Sequence, residues 1–333
     1  MKKLVALLIA AVMTVSFAGF AMAGEGGDVI HMQLAIATAN MAQFDILPDV
    51  MKEATNGQIE VELVDMTSLG TSEDALRMVQ NGAVAMYMNS PAQTPAFFPV
   101  LDLLQIPFYT GNIDNVIACM EALDEAGLLE ETHDGFEPLC YMATDPQMLS
   151  FASKKVESLA DFNGMNIRAV SGISVQMLQE FGANVVTMGF AEVVPALEKG
   201  TIDGVMTSPI MMYPNHMEEC LKYTLDLSVF NGPALWVMNK NVYDSLSPEL
   251  QEAVKEVGKT MQQHFLEIQE EQLLEYWDAM EAAGLERYTP SDEFVADLQA
   301  ATDTLVEAEK ASLDQQGYDA EAIFAITDEV IGR

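Results

Sequence analysis

The sequence predicts an α/β protein of two lobes, each a mixed, mostly parallel sheet flanked by helices, with one long helix spanning both lobes. Three observations predict it. Strand-like and helix-like segments alternate in two separate series, near 28–110 and near 150–210, a pattern that argues for largely parallel strands with helices on both faces. Between Pro248 and Gly284 there is no further proline, and apolar residues recur every three to five positions, which reads as a single helix too long for one small domain. The length, 333 residues, matches two domains at roughly 100 to 200 residues each.

Residues 1–23 stand apart from the fold. Lys2 and Lys3 precede an apolar stretch from Leu4 to about Phe20, and Ala21-Met22-Ala23 places small residues where a signal peptidase cuts, so this segment is expected to be a secretory signal peptide. Its removal leaves 13 Lys and Arg against 51 Asp and Glu, a charge of −38. A surface of that sign repels phosphate backbones, which argues against nucleic-acid binding. No later apolar run is long enough to span a bilayer, so the mature chain is expected to stay out of the membrane.

The first series opens with Asp28-Val29-Ile30-His31 and an alternating strand ending near Asn40, then a helical stretch from about Gln43 to Thr55 and a second strand, Gln58–Asp65. A helix over Ser72–Gln80 ends at Asn81-Gly82, and Ala83–Ser90 reads as a buried strand stopped by Pro91. In the second series, strand 162–170 is followed by helix 174–183, strand 184–189, helix 191–200 and strand 201–209. The long helix, about 248–284, carries Leu250, Val254, Val257, Met261, Phe265, Ile268, Leu273, Trp277 and Met280 along its apolar face; 37 residues at 1.5 Å each would reach about 55 Å. Gly258 within it points to a close packing contact. A last helix, about Asp292–Gln316, ends at Gly317.

Catalytic signatures are missing from the sequence: GxSxG, HExxH, GxxxxGK[ST] and a post-strand GxGxxG do not occur. His31, His133, His216 and His264 are scattered, and Cys119, Cys140 and Cys220 form no metal-binding spacing. Neither a cofactor nor a metal is expected. The informative residue is Arg168, one of four arginines, inside the strand Met165–Val170. A guanidinium in a buried strand is costly unless it is paired, and a carboxylate held bidentately is its best partner. The sequence leaves open whether that carboxylate belongs to the protein or to a ligand.

Asp161-Phe162-Asn163-Gly164-Met165-Asn166-Ile167-Arg168 resembles the D-L-x-G-x-K-I-R signature of the periplasmic solute-binding proteins of TRAP transporters, the DctP-like family. Phe181-Gly182-Ala183, the run Ala196–Gly204, Ser68-Leu69-Gly70, Val79–Ala83 and Ile106-Pro107-Phe108 resemble further family motifs in the family's order. The resemblance implies a two-lobed periplasmic binding protein fold that closes on an organic acid and delivers it to TRAP membrane subunits, with no enzymatic step. It implies lobe I over 28–148 and about 232–262, and lobe II over 149–231 and about 263–333. Arg168 matches the arginine that pairs with the ligand carboxylate.

Asn40 and Ser90, at strand ends, and Thr207, Ser208, Phe190, Asn231 and Trp236 complete the expected ligand-binding set. Two departures bear on the ligand. The chain reads Asp203-Gly204-Val205-Met206-Thr207-Ser208-Pro209 where the family often has D-G-x-E-N-P, and Ala143–Met148 lacks the second basic residue that many members carry. One arginine, with Met206, Met211 and Met212 nearby in sequence, favours a monocarboxylate with an apolar or aromatic tail over a C4-dicarboxylate. A receptor for an ABC transporter or a sensor, and an exported α/β enzyme, are the alternatives at this point.

Overall fold

Two runs of strand and helix are tied together by a third kind of element, a pair of long strands that crosses from one half of the molecule to the other. The computed structural model describes residues 29–37, 42–66, 69–169 and 172–333; the signal-peptide segment and Asn40 lie outside them. In the first half, β1 (Ile30–Ile36), α1 (Leu47–Ala54), β2 (Ile59–Asp65), α2 (Ser72–Gln80) and β3 (Met86–Asn89) follow one another, and β1 pairs in parallel with both β2 and β3. Thr71 starts α2 with a reciprocal capping box to Asp74, satisfying two backbone donors that a helix start otherwise leaves free. After α3 (Ile113–Glu125) comes β4 (Phe136–Phe151), a strand of 16 residues.

The second half contains β5 (Asn166–Ala169), α4 (Ile173–Glu180), β6 (Asn184–Thr187), α5 (Val193–Glu198), β7 (Gly204–Thr207), the short α6 (Pro209–Met212) and β8 (Tyr223–Leu225). β9 (Phe230–Asn239) then runs back into the first half, followed by α7 (Lys240–Ser245), α8 (Pro248–Ala282), β10 (Glu286–Tyr288), α9 (Asp292–Gln316) and α10 (Ala320–Ile331). The strand order is β2-β1-β3-β9-β4-β7-β5-β6, with β8 and β10 on a side branch from β4. β4 belongs to both halves. Phe136 to Gln147 pair with β9, whereas Met148 to Phe151 pair with β7.

The sequence reading lacks β4 and β9, and the reason is proline. Pro138 and Pro146 in β4 and Pro233 in β9 argue against central strands, since proline cannot donate to the ladder. The register of β4 against β9 shifts between Pro138 and Cys140 and again between Ala143 and Pro146, so irregularities of pairing accommodate both prolines of β4.

α8 spans both halves. Ser247 caps it by accepting from the Leu250 amide, with Pro248 in its first turn, and its 35 residues extend about 52 Å. Its Leu250, Val254, Val257, Met261 and Phe265 enter the first-half core, whereas Trp277 and Met280 enter a second-half core. A Cβ on Gly258 would land on the Leu139 carbonyl, so glycine lets this helix lie against β4. At its end the chain returns to the first half: Ala320, Ile323 and Phe324 of α10 join the core that holds α3, so the closing residues of the span assigned to lobe II by sequence pack with lobe I. Among the described residues, no helix is long and apolar enough to cross a membrane.

Candidate functional site

In open α/β sheets a ligand sits beyond the carboxyl ends of the parallel strands. In the second half those ends are Arg168-Ala169 of β5, Thr187-Met188 after β6 and Thr207-Ser208 after β7. The local sequence holds them in place. The Asp203 carboxylate accepts the Asn166 amide at 2.8 Å, and the Asp203 amide donates to the Asn166 carbonyl at 2.7 Å, clamping the start of β5 to the turn before β7. A Cβ on Gly204 would meet the Ser150 carbonyl at 2.7 Å, so glycine is required for β7 to lie against β4. Asp161 accepts from Lys154, the Glu157 amide and Ser158, which hold its carboxyl down to about 2. These signature residues are structural, and the side chain they position is Arg168.

Arg168 pairs across the sheet with Val186 and Val205 and is 5% exposed. Its Nη2 donates to the Met188 carbonyl at 3.3 Å, and its guanidinium carbon lies 5.8 Å from the centre of the Phe190 ring. Its Nε has no partner. Among the described residues no carboxylate forms an ion pair with it, and burial alone lowers its pKa from the usual guanidinium value. An arginine remains charged under such a shift. The site therefore holds a desolvated cation whose Nε is without a partner, which a planar carboxylate fits.

Thr207 lies on the same sheet face as Val205, two residues away, and hence on the face of Arg168; it is buried opposite Met148. Ser208 is buried but engaged: its hydroxyl bonds the Asp145 carboxylate, which also accepts the Ile210 amide at 3.1 Å. Asp145 sits in the unpaired stretch of β4, and burial raises its carboxyl to about 6. Asn231 is likewise occupied, donating to the Thr144 carbonyl at 3.1 Å and accepting from Ser228 at 3.2 Å. Ser208 ties β4 to the segment after β7, and Asn231 ties β9 to β4.

Of the remaining expected residues, Phe190 stacks on Arg168 and Ser90 follows β3, half-buried. Trp236 is fully buried in the first-half core, 5.9 Å edge-on from Phe44, because its position on β9 faces α1 and α8. Met206 packs in the core on the opposite sheet face from Arg168; Met148, Met212, Met217 and Met280 are the buried methionines of the cluster that Phe190 packs against. Sequence reasoning missed Asn89, a fully buried amide at the last position of β3. A lone polar residue closing an apolar strand is the signal that could have found it.

The comparisons with known proteins place this geometry in a lineage. The family model for DctP, described as bacterial extracellular solute-binding protein, family 7, matches residues 35–312. The 2,3-diketo-L-gulonate-binding periplasmic protein of Escherichia coli K12 is 27% identical over 248 residues, covering 73% of this chain and 75% of that protein. A TRAP periplasmic solute-binding protein from Desulfovibrio salexigens superposes with a TM-score of 0.83 at 20% identity, over 91% of this chain and 96% of that one. A TRAP solute-binding protein from an unidentified marine microbe, described as specific for aromatic acid ligands, reaches 0.80 at 22% identity, over 92% and 99%.

Proposed function

Because the chain belongs to the bacterial extracellular solute-binding proteins of family 7, we propose that it is a periplasmic receptor that captures an organic carboxylate on Arg168, closes its two lobes around it and delivers it to TRAP membrane subunits. The observation that carries this reading is the buried guanidinium with an unpartnered Nε and no acid of its own among the described residues. With 51 Asp and Glu in the chain, an internal partner was abundantly available, so its omission favours a partner that comes and goes.

Arg168 supplies the charge, Phe190 fixes the plane of its fork, and Thr207 offers a hydroxyl on the same face. Residues 1–23 would direct export. Closure follows from linkage: a ligand that touches both lobes binds the closed form better and so populates it. No bond is made or broken in this scheme.

The ligand is read as a monocarboxylate with an apolar or aromatic tail. Arg168 is the one arginine of the expected set, and the stretch Ala143–Met148, where many family members carry a second basic residue, holds none and includes Asp145, whose negative charge opposes a second carboxylate. A relative named for 2,3-diketo-L-gulonate and a structural neighbour described as specific for aromatic acids support an organic acid. The test is native mass spectrometry of the gently purified protein, followed by calorimetry with any acid it releases. Saturable binding of one unchanged acid per chain is expected. Chemical conversion of that acid, or the absence of binding across a library of carboxylic acids, would overturn the reading.

A further inference from the structure

Asn89 occupies in the first half the kind of position that Arg168 occupies in the second. It is the last residue of β3, opposite Leu235 of β9, at the carboxyl edge of a parallel pair with β1. Its side chain is fully buried. The Oδ1 accepts from the Thr94 hydroxyl at 3.0 Å, and the Nδ2 has no partner. A buried donor left unmade is costly.

Few other buried side-chain nitrogens share that state among the described residues: Arg168 Nε, Trp236 Nε1 and His264 Nε2. Trp236 is enclosed by the first-half core and His264 lies within α8 beside Asp45. Only Asn89 and Arg168 stand at the carboxyl end of a parallel strand, one in each half. Their chemistry differs. The guanidinium calls for a charge, whereas a neutral amide N–H suits a neutral oxygen, since it cannot offset the desolvation of a second carboxylate.

Resting on the receptor reading above, we propose that Asn89 determines specificity by donating from Nδ2 to a hydroxyl or carbonyl oxygen at the end of the ligand remote from its carboxylate. The substrate class is then a hydroxy- or oxo-substituted monocarboxylic acid, and a plain hydrocarbon acid is disfavoured because it leaves the amide unpaired on closure. Sites built around a polar substituent reject the analogue that lacks it. The Thr94 hydroxyl holds the amide in one orientation by occupying Oδ1, leaving the donor end for the ligand.

The experiment uses the mature protein and a panel of carboxylic acids in matched pairs, aliphatic and aromatic, each pair differing by one hydroxyl or oxo group remote from the carboxylate; 3-hydroxyphenylacetate with phenylacetate is one. For the best-bound pair, the substituted acid is expected to bind about 10- to 100-fold tighter. In Asn89→Leu that ratio falls toward one. A wild-type ratio near one, or a ratio that persists in Asn89→Leu, overturns the proposal. The wild-type ratio decides the matter even where the variant does not fold. Arg168→Ala reads the underlying function separately: if the panel binds that variant as tightly as wild type, the receptor reading fails whatever the ratio.

Discussion

Two arginines on the second-half sheet are built alike and finished differently. Arg287, on β10 at the edge of the side branch, lies 4.7 Å over the Trp277 ring, and its Nε meets the Glu281 carboxylate at 3.2 Å. Arg168, on β5 inside the sheet, lies 5.8 Å over the Phe190 ring, and its Nε meets nothing. An aromatic plate accompanies both, so stacking does not distinguish them. The carboxylate does. Where solvent shares the cost of charge, the chain supplies an acid; where the guanidinium is 5% exposed and the need is greatest, it withholds one. A structural arginine would show the opposite distribution, because a buried charge without a counterion is the more expensive arrangement.

The largest expected effect tests that contrast directly. Arg168→Ala should weaken binding of the cognate acid by about 2 to 5 kcal/mol, the range for truncating one member of a buried charged pair, as read by calorimetry; unchanged affinity would put Arg168 on the same footing as Arg287.

A second test asks whether the other buried charge nearby carries a similar cost. Burial raises the Asp145 carboxyl from 3.8 to about 6, so ionisation is harder in the folded protein than in the unfolded chain. The unfolded state then loses its proton first, and stability falls as pH rises from about 4 to about 6. Asp145→Asn, which can still accept from the Ile210 amide, should match wild type below pH 4 and exceed it by on the order of 3 kcal/mol above pH 6. Denaturant unfolding at pH 3.5 and 7.5 measures the difference, and equal stabilities at the higher pH would refute it.

Phe190→Leu keeps an apolar neighbour beside Arg168 and removes the ring face. A loss of about 1 kcal/mol in affinity is expected, within the range for a partly desolvated cation–π contact; a gain would mean that the ring obstructs the ligand. The smallest effect belongs to the reference arginine. Arg287→Ala should cost about 0.2 to 1 kcal/mol of stability, as exposed pairs do, and leave acid binding untouched when both are measured on one preparation.

The architecture was legible wherever periodicity is local. β1 to β3 and β5 to β7, with the helices between them, follow from alternation and breaker residues, and α8 follows from a long proline-free apolar stripe. The crossing pair was not, because Pro138, Pro146 and Pro233 read as interruptions until β4 and β9 are seen to absorb them together. The site was half legible. Arg168 stands out because a charge in an apolar strand needs an explanation, while the place of Trp236 in the first-half core was not legible because a strand's pattern does not say which face meets the cleft.

Residue order alone established the strand and helix series, the reach of the long helix and the oddity of Arg168, since each depends on neighbours in the chain or on the intrinsic chemistry of a side chain. Three dimensions decided that Arg168 has no acid among the described residues, that Ser208 and Asn231 are already engaged, and that the Asn89 amide is left with a donor to spare. Those are statements about which groups from distant segments come within about 3 Å of one another, and only the packing of one half of the sheet against the other settles them.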